Sequence, residues 1–210
     1  MDKIQKFAFQ PRFKADIESA LARFFGEEFT RTRTIISDEE DLPDFQEWFF
    51  FDYPTGSGDT IINMFAREEG KNLSAREREL LELWRHWNRY RLFEVQKVMS
   101  GTGIVVEDLL SGEVLEVHDR SASRTVSRWA IILARPSYTD RLHFAGAAIM
   151  LTPLQKKSVL EYSRQLLAAF LALHPKATLD EFYRRHGLDI RHFMRRKAQE
   201  KPVVITPEGH

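Results

Sequence analysis

The N-terminal part of the chain, residues 1–90, carries its hydrophobic positions at helical spacing. In "FKADIESALARFFGEEF" apolar side chains recur every three or four residues, as in a helix with one buried face. Ser74 and Glu77 have the spacing of a capping box, in which each side chain accepts a hydrogen bond from the other residue's backbone N–H. They predict a helix that begins there and reaches about Tyr90. We therefore expect residues 1–90 to form a helical N-terminal region.

The hydrophobic period falls to about 2 after Arg91, which is the spacing of β-strands. Five short β-type runs, separated by turn sequences such as "SGTG" and "PSYTD", fill residues 91–151. At hairpin spacing they predict a small five-stranded antiparallel β-barrel of the OB or SH3-like kind, or a bent sheet. With α-helices flanking it on both sides, the fold class is α+β. The runs are "LFEVQKV", "GIVVEDL", "EVLEVHD", "RWAIILARP" and "LHFAGAAIML".

Residues 152–201 return to a helical pattern that we expect to pack on the rest. Thr152 precedes a proline and predicts the start of a long helix. Thr178 and Glu181 repeat the capping-box spacing, and Gly187 suggests a turn between two further helices. The tail, residues 202–210, has no such pattern. We expect one compact body with no internal repeat.

Four stretches resemble a region found in uncharacterised bacterial proteins, some of which also carry a SEC-C zinc motif. They are "WFFFDYP", "LSARERELLELW", "LFEVQKV" and "EDLLSGEVLEVHDRSASRT", and the resemblance runs from about Phe45 to Leu151. The SEC-C motif itself is absent, because the chain has no cysteine. The resemblance implies the architecture and a bacterial origin, and it supplies no catalytic residues.

Composition narrows the classes of function. The 31 basic and 31 acidic side chains balance, so any attraction to a polyanion must come from a local patch. The absence of cysteine fits a reducing cytoplasm, where we expect the protein to reside. The longest apolar runs fall short of the roughly 20 residues that cross a bilayer, so we expect no membrane partner.

Charge is distributed unevenly along the neutral chain. Residues 37–59 carry eight carboxylates and no Lys or Arg. The C-terminal segment, residues 174–201, is basic, and its cations suit the phosphates of a nucleic acid. They equally suit a solvated surface, or an internal partner for residues 37–59. The candidate nucleic-acid contacts in this segment are Arg184, Arg185, Arg191, Arg195, Arg196 and Lys197.

A second candidate anion site lies in "HDRSASRTVSRW", residues 118–129. Arg120 and Arg124 flank Ser121 and Ser123, and guanidinium, hydroxyl and loop N–H groups together suit a phosphate. The alternative is a polar connector whose hydroxyls bond its own backbone, which is the commoner use of such turns.

Motifs of enzymes are missing from the sequence. Its histidines have no HExxH spacing, and neither a G-x-S-x-G elbow nor a Walker loop is present. We therefore hypothesise a non-enzymatic binding protein without a cofactor, contacting nucleic acid or another anionic partner. One alternative is a protein-interaction adaptor that uses the acidic segment 37–59. Another is a metal-dependent hydrolase in which "DEEDLPD" holds a divalent ion.

Overall fold

The structure is a computed structural model. It describes residues 1–26 and 41–199. Residues 37–40 of the acidic segment and the tail 202–210 lie outside the described residues. Within these two ranges, no helix is both long enough and apolar enough to cross a membrane.

The N-terminal region is helical, as predicted. Ser74 Oγ accepts a hydrogen bond from Glu77 N at 3.3 Å, and Ser74 N donates to Glu77 Oε2 at 2.7 Å, which confirms the capping box. The helix that follows ends at Trp87, because Asn88 leaves the helical conformation. The helices are α1 (Asp2–Ala8), α2 (Lys14–Phe25), α3 (Asp41–Phe51), α4 (Ile61–Glu69) and α5 (Ala75–Trp87), with 3-10 turns at Pro11–Phe13 and Gly70–Asn72.

Five antiparallel strands form one sheet, which confirms the α+β class and the predicted strand number. The strand order is β3-β2-β1-β4-β5. The strands are β1 (Arg91–Met99), β2 (Gly103–Asp108), β3 (Val114–Val117), β4 (Ile131–Tyr138) and β5 (Leu142–Leu151).

The sheet is not closed into a barrel, so the OB or SH3-like alternative is not confirmed. Strands β3 and β5 are its two edges, and a single backbone hydrogen bond, from His118 N to Leu142 O at 2.8 Å, is seen between their ends. Register shifts interrupt β1 between Val95 and Lys97, and also interrupt β4. Hairpin spacing predicts the β1–β2, β2–β3 and β4–β5 pairs, but it specifies neither that β4 pairs with β1 rather than β3 nor whether the two edges meet.

Alternate residues of the sheet serve two cores. Ile131 and Leu133 point into the large core shared with the helices, whereas Ile132 between them joins a second cluster on the other face with Phe93 and Val106. This alternation is the period-2 pattern from which the strands were predicted.

The C-terminal residues form two long helices rather than the three predicted. Helix α7 (Lys156–Leu173) follows a 3-10 turn, Pro153–Gln155, and α8 runs unbroken through Leu179–Gln199; the short α6 (Ala122–Thr125) lies between β3 and β4. The turn predicted at Gly187 is therefore wrong. A Cβ at this position would lie 2.9 Å from Tyr90 Cβ, so the glycine permits close packing of α8 on this tyrosine.

Candidate ligand-binding cleft

A cleft of about 1060 Å³ opens between the N-terminal helices and the turn that joins α7 to α8. Its volume is just above the usual range of small-molecule sites, about 300–1,000 Å³, so a small molecule would fit, and we take it as the candidate site. The lining residues are Arg23, Trp48, Asp52, Pro54, Gly58, Asp59, Thr60, Asn63, Phe170, His174, Pro175, Lys176, Ala177, Glu181, Arg184 and Arg185.

The loop at residues 54–60 forms one wall of the cleft and is held by hydrogen bonds within itself and to α2. Thr55 N donates to Asp59 O at 2.9 Å, which closes the loop on itself. Gly56 N donates to Asp16 Oδ1 at 2.7 Å, which attaches the loop to α2. The sequence "TGSGD" therefore makes a fixed wall.

The opposite wall is the start of α8. Thr178 N donates to Glu181 Oε2 at 2.7 Å, and Glu181 N donates to Thr178 Oγ1 at 3.2 Å, so the predicted capping box is confirmed. The backbone hydrogen bond from Thr178 lowers the pKa of Glu181. Because the cap fixes the first turn of α8, it also sets the positions of Arg184 and Arg185 in the cleft.

Four cationic side chains of the lining form no direct ion pair with a carboxylate of the described residues. Among residues 1–26 and 41–199, no ion pair or hydrogen bond involves the side chains of Arg23, Lys176, Arg184 or Arg185. The guanidinium of Arg23 instead lies over the Trp48 ring, 5.8 Å from its centroid.

The carboxylates of the same lining are engaged. Asp59 accepts hydrogen bonds from Arg67 Nη1 at 2.8 Å, from Asn63 Nδ2 at 3.0 Å and from Thr60 N at 2.9 Å. Burial by itself would raise the pKa of Asp59. The hydrogen bonds have the larger combined effect, so the pKa is lowered. Glu181 is held by its cap. Arg184 is near enough to Asp52 and Glu181 for its charge to act to lower the pKa of both, but neither carboxylate forms an ion pair with it among the described residues.

Asp52 lies in the cleft wall and is buried against Arg135. Arg135 Nη1 and Nη2 both donate to Asp52 Oδ2, at 2.6 and 2.5 Å, and the guanidinium lies 4.3 Å from the centroid of the Tyr90 ring. Burial raises the pKa of Asp52 to about 6, although Arg135, Arg184 and Arg89 oppose the shift. Asp52 Oδ1 has no hydrogen-bond partner in the described part of the chain.

The acidic segment and the C-terminal helix pair inside the protein. Arg191 Nε donates to Asp44 Oδ2 at 2.6 Å, and Arg191 Nη2 donates to Asp41 Oδ1 at 2.7 Å. Arg195 also binds Asp41, through Nη1 at 2.9 Å. Asp41 and Asp44 are buried. This is the internal pairing that the sequence left open as an alternative: Arg191 is buried in it, whereas the Arg195 side chain is 35% exposed.

The other C-terminal candidates are divided between the cleft and the surface. Arg184 and Arg185 line the cleft. Arg196 is exposed, and Lys197 Nζ lies 5.6 Å from the centroid of the Phe193 ring. The structure therefore does not gather the six basic residues into one patch.

The stretch 118–129 is a connector between β3 and β4 with exposed arginines. Ser123 is buried, accepts a hydrogen bond from Gly101 N at 3.2 Å and donates to Arg120 O at 2.9 Å. Its hydroxyl is thus used by the fold. Arg120, Ser121 and Arg124 are exposed.

An exposed tryptophan ends the same connector. The guanidinium of Arg128 lies 4.2 Å from the centroid of the Trp129 ring, which is 43% exposed. Trp129 has φ 71°, a conformation that is unfavourable for a bulky residue.

Sequence reasoning missed the most distinctive residues of the cleft. Arg23 and Thr60 belong to segments that were interpreted only as helix or turn, Asp52 was counted only as one carboxylate of the acidic segment 37–59, and His174 and Lys176 lie in a short turn. One sequence feature could have indicated the cleft wall: "YPTGSGD", a turn-rich loop directly after an aromatic helix. No group of three or more His, Asp or Glu side chains in residues 1–26 and 41–199 is arranged to hold a metal ion.

Comparison with known proteins gives one match. A model of a family of unknown function, DUF7986, matches residues 9–176, which include the stretches that resemble SEC-C-associated proteins; the match does not show that link itself. Neither a curated protein nor a solved structure matches the chain.

Proposed function

Because the chain belongs to the DUF7986 family, which is of unknown function, we propose its function from the cleft. The protein is a non-enzymatic binding protein for a small ligand that carries a phosphate group. The observation that carries this proposal is the set of four cations, Arg23, Lys176, Arg184 and Arg185, that line one cleft without an ion pair or a side-chain hydrogen bond among the described residues.

The chemistry of these side chains favours phosphate. Guanidinium groups offer forked N–H donors that match two phosphate oxygens, and lysine adds a compact charge. Asp52, Asp59 and Glu181 hydrogen-bond groups other than these four side chains, so no direct ion pair to a lining acid is present among the described residues. A doubly charged anion in the cleft would do so.

Titration with inorganic pyrophosphate tests the proposal. Trp48 lines the cleft beneath Arg23, so its fluorescence should respond to an anion that draws this guanidinium away. We expect a saturable change with one binding site per chain, confirmed by calorimetry. Absence of binding by the folded protein at low salt would refute the proposal.

A second candidate function is binding of single-stranded nucleic acid by the connector 118–129. The exposed Trp129 with Arg128 over its ring supports it, as do the exposed Arg120 and Arg124 of the same connector, because aromatic rings stack with bases and arginines neutralise phosphates. Titration with short DNA and RNA from low to physiological salt tests it. A logarithm of affinity that falls linearly with log salt and weakens in Arg120→Gln/Arg124→Gln is expected. Affinity that is unchanged in this variant would exclude the connector.

A further inference from the structure

The cleft offers accessible apolar surface as well as charge. Pro54 belongs to the loop that forms one wall, and Pro175 belongs to the turn that leads into α8 at the opposite wall. Both prolines are exposed, and Ala177, two residues after Pro175, is half-buried. An exposed side chain of the lining is open to contact with a ligand without any change of the fold. Both walls therefore present apolar surface to a bound molecule.

An imidazole ring lies on the same lining. His174 is the C-cap residue of α7, and its ring centroid is 4.9 Å from that of Phe170, at an interplanar angle of 48°. The residue as a whole is exposed. Among residues 1–26 and 41–199, no hydrogen bond or ion pair involves its side chain. Phe170 thus supports one part of the ring, and the rest is accessible to a ligand.

This ring lies near the cations of the proposed phosphate site. The pKa of Glu181 is lowered by its hydrogen bonds with Thr178 and, beyond these, by the charges of Arg184 and His174, so both of these side chains are close to one carboxyl. Lys176 follows His174 by two residues, and two residues of chain span no more than about 7 Å. One small molecule is therefore long enough to contact the ring and a cation together.

These neighbours favour an aromatic group in the ligand. An aromatic ring packs edge-to-face or offset against other rings, and guanidinium groups lie over its face. It also buries more apolar surface on the prolines than a polyol does, which favours binding. We propose that the cleft is selective for a phosphate ester of an aromatic group, with the ring on Pro54, Pro175 and His174 while the cations hold the phosphate. This inference rests on the proposed function.

Three esters with the same phosphate test it in calorimetric titrations at pH 8, where each is doubly charged. They are phenyl phosphate, cyclohexyl phosphate and glycerol 1-phosphate. We expect phenyl phosphate to bind at least about tenfold more tightly than glycerol 1-phosphate, because the ring buries apolar surface. It should bind at least about threefold more tightly than cyclohexyl phosphate, because only the aromatic ring interacts with guanidinium and imidazole through its π-electrons.

The outcomes separate this inference from the proposed function. If either of the other esters binds as tightly as phenyl phosphate, the inference is overturned and the proposed function stands. The same holds if pyrophosphate binds and none of the esters does. Failure of all three esters and of pyrophosphate to bind would overturn both.

Two variants link the preference to the lining. His174→Ala removes the imidazole ring, and Pro54→Ser removes apolar surface from the other wall. In each we expect the ratio of the affinities for phenyl phosphate and glycerol 1-phosphate to fall at least about threefold. Because both esters carry the same phosphate, this ratio cancels any effect on the phosphate contacts. If Pro54→Ser does not fold, His174→Ala alone decides the matter.

His143→Ala is the matched control, since His143 lies on β5 and outside the lining. It should keep the ratio of the wild type. An unchanged ratio in the folded cleft variants, or an equal fall in His143→Ala, would overturn the inference.

Discussion

Arg191 Nε donates to Asp44 Oδ2 at 2.6 Å, although 147 residues separate them in the sequence. Tyr90 Oη donates to the other oxygen of the same carboxylate at 2.5 Å. One buried aspartate of α3 therefore joins the last helix to the residue that precedes the sheet. Opposite charges from two distant segments of a neutral chain are thus paired inside the fold.

Arg191→Met should lower the free energy of unfolding by about 3–5 kcal/mol, because breaking a buried pair leaves Asp44 with a charge that is not compensated. Urea denaturation measures this change. Arg196→Met removes an exposed arginine from the same helix and should alter stability by no more than about 0.5 kcal/mol. Equal effects of the two substitutions would contradict the internal pairing.

Gly187→Ala should destabilise the protein by about 1–3 kcal/mol, since the added Cβ would lie 2.9 Å from Tyr90 Cβ. The cost arises despite the better helix propensity of alanine, which favours the variant by about 1 kcal/mol. Gly70→Ala is the matched control, because nothing lies within 4 Å of its added Cβ. It should leave the thermal midpoint unchanged or raise it. A neutral Gly187→Ala would show that α8 does not pack this closely on Tyr90.

Ser123→Ala should lower stability by about 1–3 kcal/mol, because Gly101 N and Arg120 O both lose a partner. Ser121→Ala changes an exposed hydroxyl of the same connector and should be close to neutral. Chemical denaturation of both variants distinguishes the roles of the two serines. A loss of stability in Ser121→Ala and none in Ser123→Ala would contradict the hydrogen bonds described.

Stability should depend on pH through Asp52. Burial raises its pKa from 3.8 to about 6, so between about pH 4 and pH 6 the folded protein binds more protons at this group than the unfolded chain does. The free energy of unfolding of the wild type, relative to Asp52→Asn, should therefore decrease by about 3 kcal/mol as the pH rises through this window. Urea denaturation of both proteins at several pH values measures the difference. A difference that increases with pH would mean that Arg135 lowers this pKa below its ordinary value.

The elements of the fold could be predicted from local sequence, because their causes are local. Period-2 alternation placed the five strands, and Ser74 with Glu77 placed the start of α5. The turn at Gly187 failed because a glycine inside a helix pattern can mark either a break or a close contact. Only the position of Tyr90 in space, nearly a hundred residues earlier, decides between them.

The cleft could not be predicted in the same way. Arg23, Asp52 and Arg184 come from three distant segments, and neither their convergence nor the missing partners of the cations can be read from spacing. The arginines of the C-terminal segment were identified as a group, but local sequence does not show which of them face Asp41 and Asp44 and which face the cleft.

Calorimetric titration of pyrophosphate into three proteins tests the central claim most directly. These are the wild type, Arg184→Gln/Arg185→Gln, and Arg120→Gln/Arg124→Gln as a control that removes the same charge from the connector. We expect saturable binding by the wild type, an affinity at least about tenfold lower in the first double variant, and no change in the second. Absence of binding by the wild type, or an equal loss in both double variants, would contradict a phosphate site in the cleft.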